Sequence, residues 1–335
     1  MATRREFIKT TGIAGAAAIT GANISMASPA KTAITPITIS DVSSNFERES
    51  LIRPFGFKGG YMTEIWQTAN YLRSSSGDHQ IGLCTQNVLW SDARVFAAHS
   101  ESGGNALMFA LTERALQIMK GQSFSTPIDL LENILPEVYA YGQKITSNPQ
   151  LRKTFALNAL VGTDNAAWLL YAKQNGFKTF DEMIPKAWLP SLSNHHSQAA
   201  AIPLMAYSIP VNEIQSAVEQ GYFFMKIKIG QPGTQEEMLE KDKARFTAIH
   251  AAIGNVRTAH TKDGKLPYYF DANGRYEKKE TLLKLIDHAG KIGAFDQIAI
   301  IEELSLKSWN LMCQTFLCAW QPTRVPTPMW MPSGG

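Results

Sequence analysis

The rhythm of apolar and polar positions changes along this chain of 335 residues. Ala33-Ile34-Thr35-Pro36-Ile37-Thr38-Ile39 alternates with period two, as a half-buried strand does, and its proline places it at a sheet edge. Gln80-Ile81-Gly82-Leu83-Cys84 is a second strand. From Ser91 to about Phe177 the period lengthens. Ala106, Leu107, Phe109, Ala110 and Leu111 recur at helical spacing, as do Ala115, Leu116, Ile118 and Met119. A further apolar set runs from Ile128 to Leu135, and a last helix covers 164–175. Strands followed by a block of helices predict an α+β domain over residues 28–195.

Beyond residue 196 short apolar strands alternate with helices. The strands are 202–209, 223–230, 267–273 and 298–303; the helices are 211–220, 235–252 and 278–289. This order predicts βα units and a parallel sheet. A closed barrel of eight units takes about 200–250 residues. Residues 196–303 hold four recognisable strands and read as the first half of a TIM-like (β/α)8 barrel.

Composition narrows the function classes. With 44% hydrophobic and 18% charged residues the chain is ordinary globular protein. The net charge of +3 comes with no Lys/Arg stripe, so nucleic acid is not an expected partner. No apolar run reaches the ~18 residues of a membrane span. Cys84, Cys313 and Cys318 form neither a disulfide framework nor a zinc motif. Residues 1–27 read as a targeting segment. Arg4-Arg5 precede Phe7-Ile8-Lys9, a weakly apolar Gly/Ala-rich run follows, and Ser25-Met26-Ala27 offers a cleavage site. The segment resembles a twin-arginine export signal and implies a periplasmic destination.

Charged residues stand where buried parallel strands should be apolar. Lys226 and Lys228 are two apart and so share one side of their strand, as do Asp271 and Asn273. Glu302 and Glu303 end the fourth strand. Functional groups of a βα barrel gather at these strand ends. Carboxylates there suit a hard cation such as Mg²⁺, and a lysine beside them can act as a base once its pKa is lowered. Other residues have plainer readings. His195-His196 lies in a Ser/Asn-rich interdomain loop, Ser100–Gly104 leads into a helix, and Trp66 and Trp90 are packing residues.

Lys226-Ile227-Lys228, Asp271-Ala272-Asn273-Gly274 and Ile301-Glu302-Glu303, in this order on successive strands, resemble motifs of the enolase superfamily. The nearest branch is the group of muconate-lactonising enzymes and dipeptide epimerases among the mandelate-racemase-like proteins. The resemblance covers roughly residues 30–303. It implies an α+β capping domain followed by a modified barrel. It implies an Mg²⁺-dependent isomerase, a racemase or epimerase, that removes the proton α to the carboxylate of a small substrate. It assigns Lys228 as the base and Lys226 as the neighbour that holds the carboxylate and tunes that base. Asp271 and Glu302 become metal ligands, Asn273 a polar neighbour, and the metal stabilises the enediolate. Homo-oligomers are common in the family, and its specificity loops imply that segments 54–62 and 86–92 reach over the barrel mouth. Cycloisomerisation and acid-sugar dehydration share the same half-site and remain open, as does a non-catalytic exported binding protein.

The chain departs from the family after Glu303. The family has a proline there, a third metal carboxylate on the fifth strand, and an opposing base further on. Residues 304–335 carry three of the seven tryptophans, two of the three cysteines and no Asp or Glu, without sustained periodicity. Restoring one base after the Glu303 codon lets the following codons read Pro-Phe-Pro-Glu-Glu, which puts Glu-Glu-Pro at the end of the fourth strand as in the family, and, later, Ala-Asp-Glu-Ser, the family's fifth-strand motif. The expectation is therefore a tail read out of frame, a missing third ligand, and a chain inactive as it stands.

Overall fold

The computed structural model describes residues 34–196 and 198–303. The expected export signal (1–27) and the expected out-of-frame tail (304–335) lie outside the described residues. The described chain from Thr35 onward belongs to one compact unit, which contains two four-stranded sheets.

The first sheet is antiparallel. Strands β1 (Ile37–Phe57) and β2 (Gly60–Ser74) form a long hairpin in register from Ile39↔Ser74 to Phe57↔Gly60, with irregularities at Ile39/Asp41 and Ser50/Phe55. Strand β3 (His79–Gln86) pairs with β2, and the short β4 (Ser123–Phe124) pairs with the start of β1. The sequence pattern marked only 33–39 and 80–84 as strands here. It missed the rest because the half-buried face of Asp41–Ser50 mixes Val42 and Phe46 with Ser44, and the buried face of β2 mixes Met62, Trp66 and Leu72 with Thr68, Asn70 and Ser74, so polar residues interrupt the apolar alternation.

Helices cover one face of this sheet. They are α1 (Val88–Ser91), α2 (Ala93–His99), α3 (Glu101–Met119), α4 (Pro127–Ile145) and α5 (Lys153–Asn175). Their ends follow from local chemistry. Ser100 caps α3 by accepting from the Gly103 N–H, so Ser100–Gly104 does lead into a helix. Thr126 caps α4 ahead of Pro127, and α5 stops at Gly176 in the left-handed region. Ile37, Ile39, Leu72, Met108, Leu111, Ile134, Phe155 and Leu170 form the core between sheet and helices. Burying one such side chain stabilises by ~1.5–3 kcal/mol. Trp66 is buried and stacks on Phe46 at 4.2 Å. Trp90, expected to pack, is instead 48% exposed, because the four-residue α1 turns its ring outward.

Two short helices, α6 (Phe180–Met183) and α7 (Leu189–Leu192), lead into the loop that holds His195 and His196. The second sheet follows and is parallel, in the order β5 (Leu204–Met205), β6 (Met225–Lys228), β7 (Tyr268–Asp271), β8 (Ile298–Glu302). Between the strands run α8 (Val211–Glu219), α9 (Gln235–Ile253) and α10 (Lys279–Lys291). Met225, Ile227, Tyr268 and Phe270 face the helices and form a second core with Ile214, Phe246 and Leu285. Period two then leaves Lys226, Lys228, Tyr269 and Asp271 on the other face. Leu204 and Ile300, on the outer strands, are 38% and 42% exposed.

Candidate active site

Strand register brings the charged residues into line. Lys228 pairs with Asp271, and Asp271 with Glu302, so three strand ends stand side by side. Lys228 Nζ donates to Asp271 Oδ2 at 2.5 Å and to Asn273 Oδ1 at 2.7 Å. Lys226 Nζ lies 3.0 Å from Asp271 Oδ2 and also donates to Glu302 Oε2. All five residues singled out in the sequence are therefore brought together.

Each side chain is tuned by its neighbours. Burial and the like charge of Lys226 push the Lys228 ammonium below the ordinary lysine range, opposed in part by Asp271. Burial also acts on Lys226, but the carboxylates of Glu302 and Asp271 outweigh it and hold that ammonium above the ordinary range. Asp271 is buried as well, and the two lysines overcome the burial and keep its carboxyl low. Two ammoniums against two carboxylates leave the cluster neutral as it stands.

Backbone geometry completes the rim. Asn273 and Glu303 hold φ of 47° and 46°. Asparagine tolerates this left-handed conformation, whereas glutamate is strained in it. The Asn273 amide donates to Glu303 Oε2 at 3.0 Å, and the Gly274 N–H donates to the Glu303 carbonyl at 2.6 Å. Beneath them Asp242 is fully buried and accepts from the Gly230 N–H, the Tyr276 hydroxyl and the Gln231 side chain. Burial still pushes its carboxyl upward. Asp242 thus ties the loop after Lys228 to α9.

The tip of the β1–β2 hairpin reaches this cluster, as segment 54–62 was expected to. Lys58 and Gly59 have φ of 52° and 72°, the two positive values of a type I′ turn. The Tyr207 N–H donates to the Gly56 carbonyl at 3.3 Å, and the Ser208 hydroxyl to the Pro54 carbonyl at 2.8 Å. A Cβ added at Gly59 would lie 2.8 Å from the Arg275 guanidinium, so glycine permits this approach. The Phe57 ring centroid is 5.3 Å from Lys228 Nζ. Lys58 Nζ donates to the Trp90 carbonyl, which brings segment 86–92 to the same edge. Lys58, Phe57 and Tyr269 were not among the residues singled out from the sequence. The Lys58-Gly59-Gly60 run was the only signal for the first two.

Asp271 and Glu302 supply oxygen donors of the kind a hard divalent cation takes, and Mg²⁺ is commonly held by one or two carboxylates with water and substrate completing the shell. The donor set fits such an ion in kind. Among the described residues no group of three or more His, Cys, Asp or Glu is arranged to hold a metal.

No family model matches the chain, and no curated protein sequence matches it. Solved structures do. N-succinyl Arg/Lys racemase from Bacillus cereus ATCC 14579 aligns with a TM-score of 0.51 at 14% identity, covering 80% of this chain and 60% of that one. Dipeptide epimerase from Enterococcus faecalis V583, complexed with Mg and the dipeptide L-Leu-L-Tyr, gives 0.50 at 16%, covering 80% and 61%. L-talarate/galactarate dehydratase from Salmonella typhimurium LT2 gives 0.51 at 19%, covering 92% and 67%. The chain thus spans about three fifths of the length of the first two. These neighbours are enolase-superfamily proteins, and at these identities what the chain shares with them is a fold.

Proposed function

We propose that the chain carries the proton-abstracting half-site of a metal-dependent racemase or epimerase acting α to a carboxylate. The observation that carries this reading is the convergence of Lys228 on Asp271 and Asn273, with Glu302 one strand further, at the ends of adjacent parallel strands. The motif resemblance and the shared fold support it.

On this reading Lys226, held charged by two carboxylates, binds the substrate carboxylate. Lys228 Nζ, whose burial favours the neutral amine, accepts the α-proton. Phe57 lies against Lys228 and excludes water from it. Asn273 fixes the direction of its lone pair by occupying one donor position. A divalent cation held by Asp271 and Glu302 would supply the charge that stabilises the electron-rich carboxylate left behind. Dehydration of an acid sugar starts from the same step. The dehydratase likeness, which covers 92% of the chain, keeps that second outcome within this proposal.

The step is testable without a complete turnover. Dipeptides, N-acylated amino acids and acid sugars are incubated with the protein and Mg²⁺ in D₂O, and loss of the α-hydrogen is followed by proton NMR. Racemisation needs a second, opposing base, and inactivity is the expectation for that full turnover; exchange needs only the half-site and is expected on one of these classes, and Lys228→Met should slow it by about 10²–10⁴-fold, the usual contribution of a positioned base. Exchange that survives Lys228→Met undiminished, or no exchange on any class, refutes the proposal.

A further inference from the structure

We propose that Asp242, in α9, is the positioning residue for Lys228: it locks the loop that follows Lys228 to the loop that follows Asp271, and so fixes where the Lys228 amine stands. This assignment rests on the reading of Lys228 as the base and adds to it a residue that acts without touching substrate.

The kind of residue is the first observation. The buried positions of α9 are Met238, Leu239, Asp242, Phe246, Ile249 and Ile253, so Asp242 occupies the apolar stripe of its helix. It is 1% exposed. A buried carboxylate is costly for the fold, and an apolar side chain of similar size would serve the core better. Its hydrogen bonds all come from neutral donors. Oδ2 accepts from the Gly230 N–H at 2.6 Å and from the Tyr276 hydroxyl at 2.7 Å. Oδ1 accepts from the Gln231 side chain at 3.2 Å and from the Gln231 N–H at 3.4 Å. Packing alone gives no reason for a carboxylate here; its donors do.

Where those donors lie is the second observation. Gly230 and Gln231 follow β6, just past Lys228, and Tyr276 follows β7, just past Asp271 and Asn273. The last backbone hydrogen bond between the two strand ends runs from the Ile229 N–H to the Asp271 carbonyl at 3.0 Å. Beyond it side chains join the two loops, and Asp242 Oδ2 joins Gly230 to Tyr276 through a single atom. Tyr276 is fully buried, so its hydroxyl has no water to turn to.

The third observation is that the same loop is held from its other side. The Tyr207 hydroxyl donates to the Gly230 carbonyl at 2.7 Å, and Arg275 Nε donates to it at 3.2 Å. Gly230 has φ of 85°, and a Cβ there would lie 2.6 Å from the Arg275 Cβ, so only glycine fits. Gly230 is thus gripped at both its N–H and its carbonyl. Lys228, two residues back, reaches Asp271 Oδ2 at 2.5 Å and Asn273 Oδ1 at 2.7 Å only while β6 and β7 keep their offset. Misplacing a reacting group by about 1 Å costs about 10²-fold in rate. Loss of the Asp242 carboxylate releases Gly230 on one side and frees the strand end that carries Lys228.

The test has a kinetic and a structural arm. Exchange of the α-hydrogen in D₂O with Mg²⁺ is followed for the wild-type protein and for Asp242→Leu, Asp242→Asn and Tyr276→Phe. Asp242→Leu fills the core but accepts no hydrogen bond. It should lower the rate at saturating substrate about 10²-fold and leave KM within about twofold, since Lys226 still binds the carboxylate. Asp242→Asn can accept both Oδ2 bonds and should recover most of the rate. Tyr276→Phe removes a single hydroxyl and should slow exchange by a smaller factor, which repeats the test without altering the core. Adding Asp242→Leu to Lys228→Met should cost nothing further, because a residue that acts only through Lys228 loses its effect once the amine is gone; a residue that merely holds the fold would multiply the loss. A wild-type rate in Asp242→Leu, a loss confined to KM, or multiplied losses in the double variant overturns the assignment. The structural arm needs no turnover. In a crystal structure of Asp242→Leu, Lys228 Nζ should lie beyond hydrogen-bond reach of Asn273 Oδ1; if it stays on both Asp271 and Asn273, the positioning role is refuted. Absence of exchange in the wild-type protein refutes the reading of Lys228 as the base, and the crystal structure then decides by itself whether Asp242 holds that side chain in place.

Discussion

Tyr269 sits on the same stripe as Asp271, and its hydroxyl donates to Glu302 Oε2 at 2.7 Å. Burial, with Glu302 close by, pushes the phenol up to about 12, so it remains a donor across the physiological range. The Lys226 ammonium lies 4.6 Å from the ring centroid. Tyr269 therefore orients both a candidate metal ligand and a candidate carboxylate anchor. Tyr269→Phe should keep the ring and lose one hydrogen bond, weakening carboxylate binding by ~1 kcal/mol. Calorimetry on a carboxylate bound by the wild type checks this, and unchanged affinity counts against the role. The residues legible in the sequence were those that break an apolar strand. Lys226, Lys228, Asp271 and Glu302 stand out because charge is unexpected there, and Asn273 because a polar amide is. Tyr269 does not stand out, because tyrosine is an ordinary strand residue. Lys58 reads as a surface turn lysine, and its place beside Lys228 depends on a long-range contact that no local period encodes.

Among the elements, α5 carries the closest packing and one mismatched charge. A Cβ on Gly82 would lie 2.1 Å from the Gly162 carbonyl, so β3 rests backbone to backbone on α5. Asp164, on the same helix, borders a small void with Leu130, Ile134 and Ala167. Burial raises its carboxyl to about 6, although Trp168 donates to it. The sign follows directly. A carboxyl whose folded pKa exceeds its unfolded value of 3.8 favours folding in its protonated form, and that contribution is lost as pH rises through about 6. Asp164→Asn should thus raise the melting temperature at pH ~7.5 and lose most of that gain by pH ~4. A gain that is the same at both pH values would show that Asp164 ionisation is not its source. The helices of this region were readable in part, where apolar positions recur at helical spacing; the first half of α5, from Lys153, was missed. The β1–β2 hairpin was not, since buried polar residues such as Thr68, Asn70 and Ser74 share its inner face and break the apolar alternation.

At the scale of the whole molecule, the alternation of strand and helix after residue 202 identified the parallel sheet and all four of its described strands, because buried parallel strands are short, apolar and regularly spaced. How the hairpin meets that sheet was not legible. The contact is made by main-chain atoms, Tyr207 N–H to Gly56 carbonyl, between residues about 150 apart in sequence. That single bond has a kinetic meaning. An amide exchanges its hydrogen with solvent only when its hydrogen bond opens, so the Tyr207 N–H keeps time for every separation of tip from sheet. Its protection factor measures the free energy of docking itself, separately from the unfolding of either sheet. Gly59→Ala, which forces a methyl to within 2.8 Å of Arg275 at φ 72°, should speed deuteration of Tyr207 while the amides of β6 and β7 keep their wild-type rates. Deuteration of Tyr207 that stays at the wild-type rate in this variant would mean that the tip is held by something other than its glycine turn. Where every opening leads to exchange, the deuteration rate of that one amide is the rate at which the Phe57-bearing tip leaves Lys228.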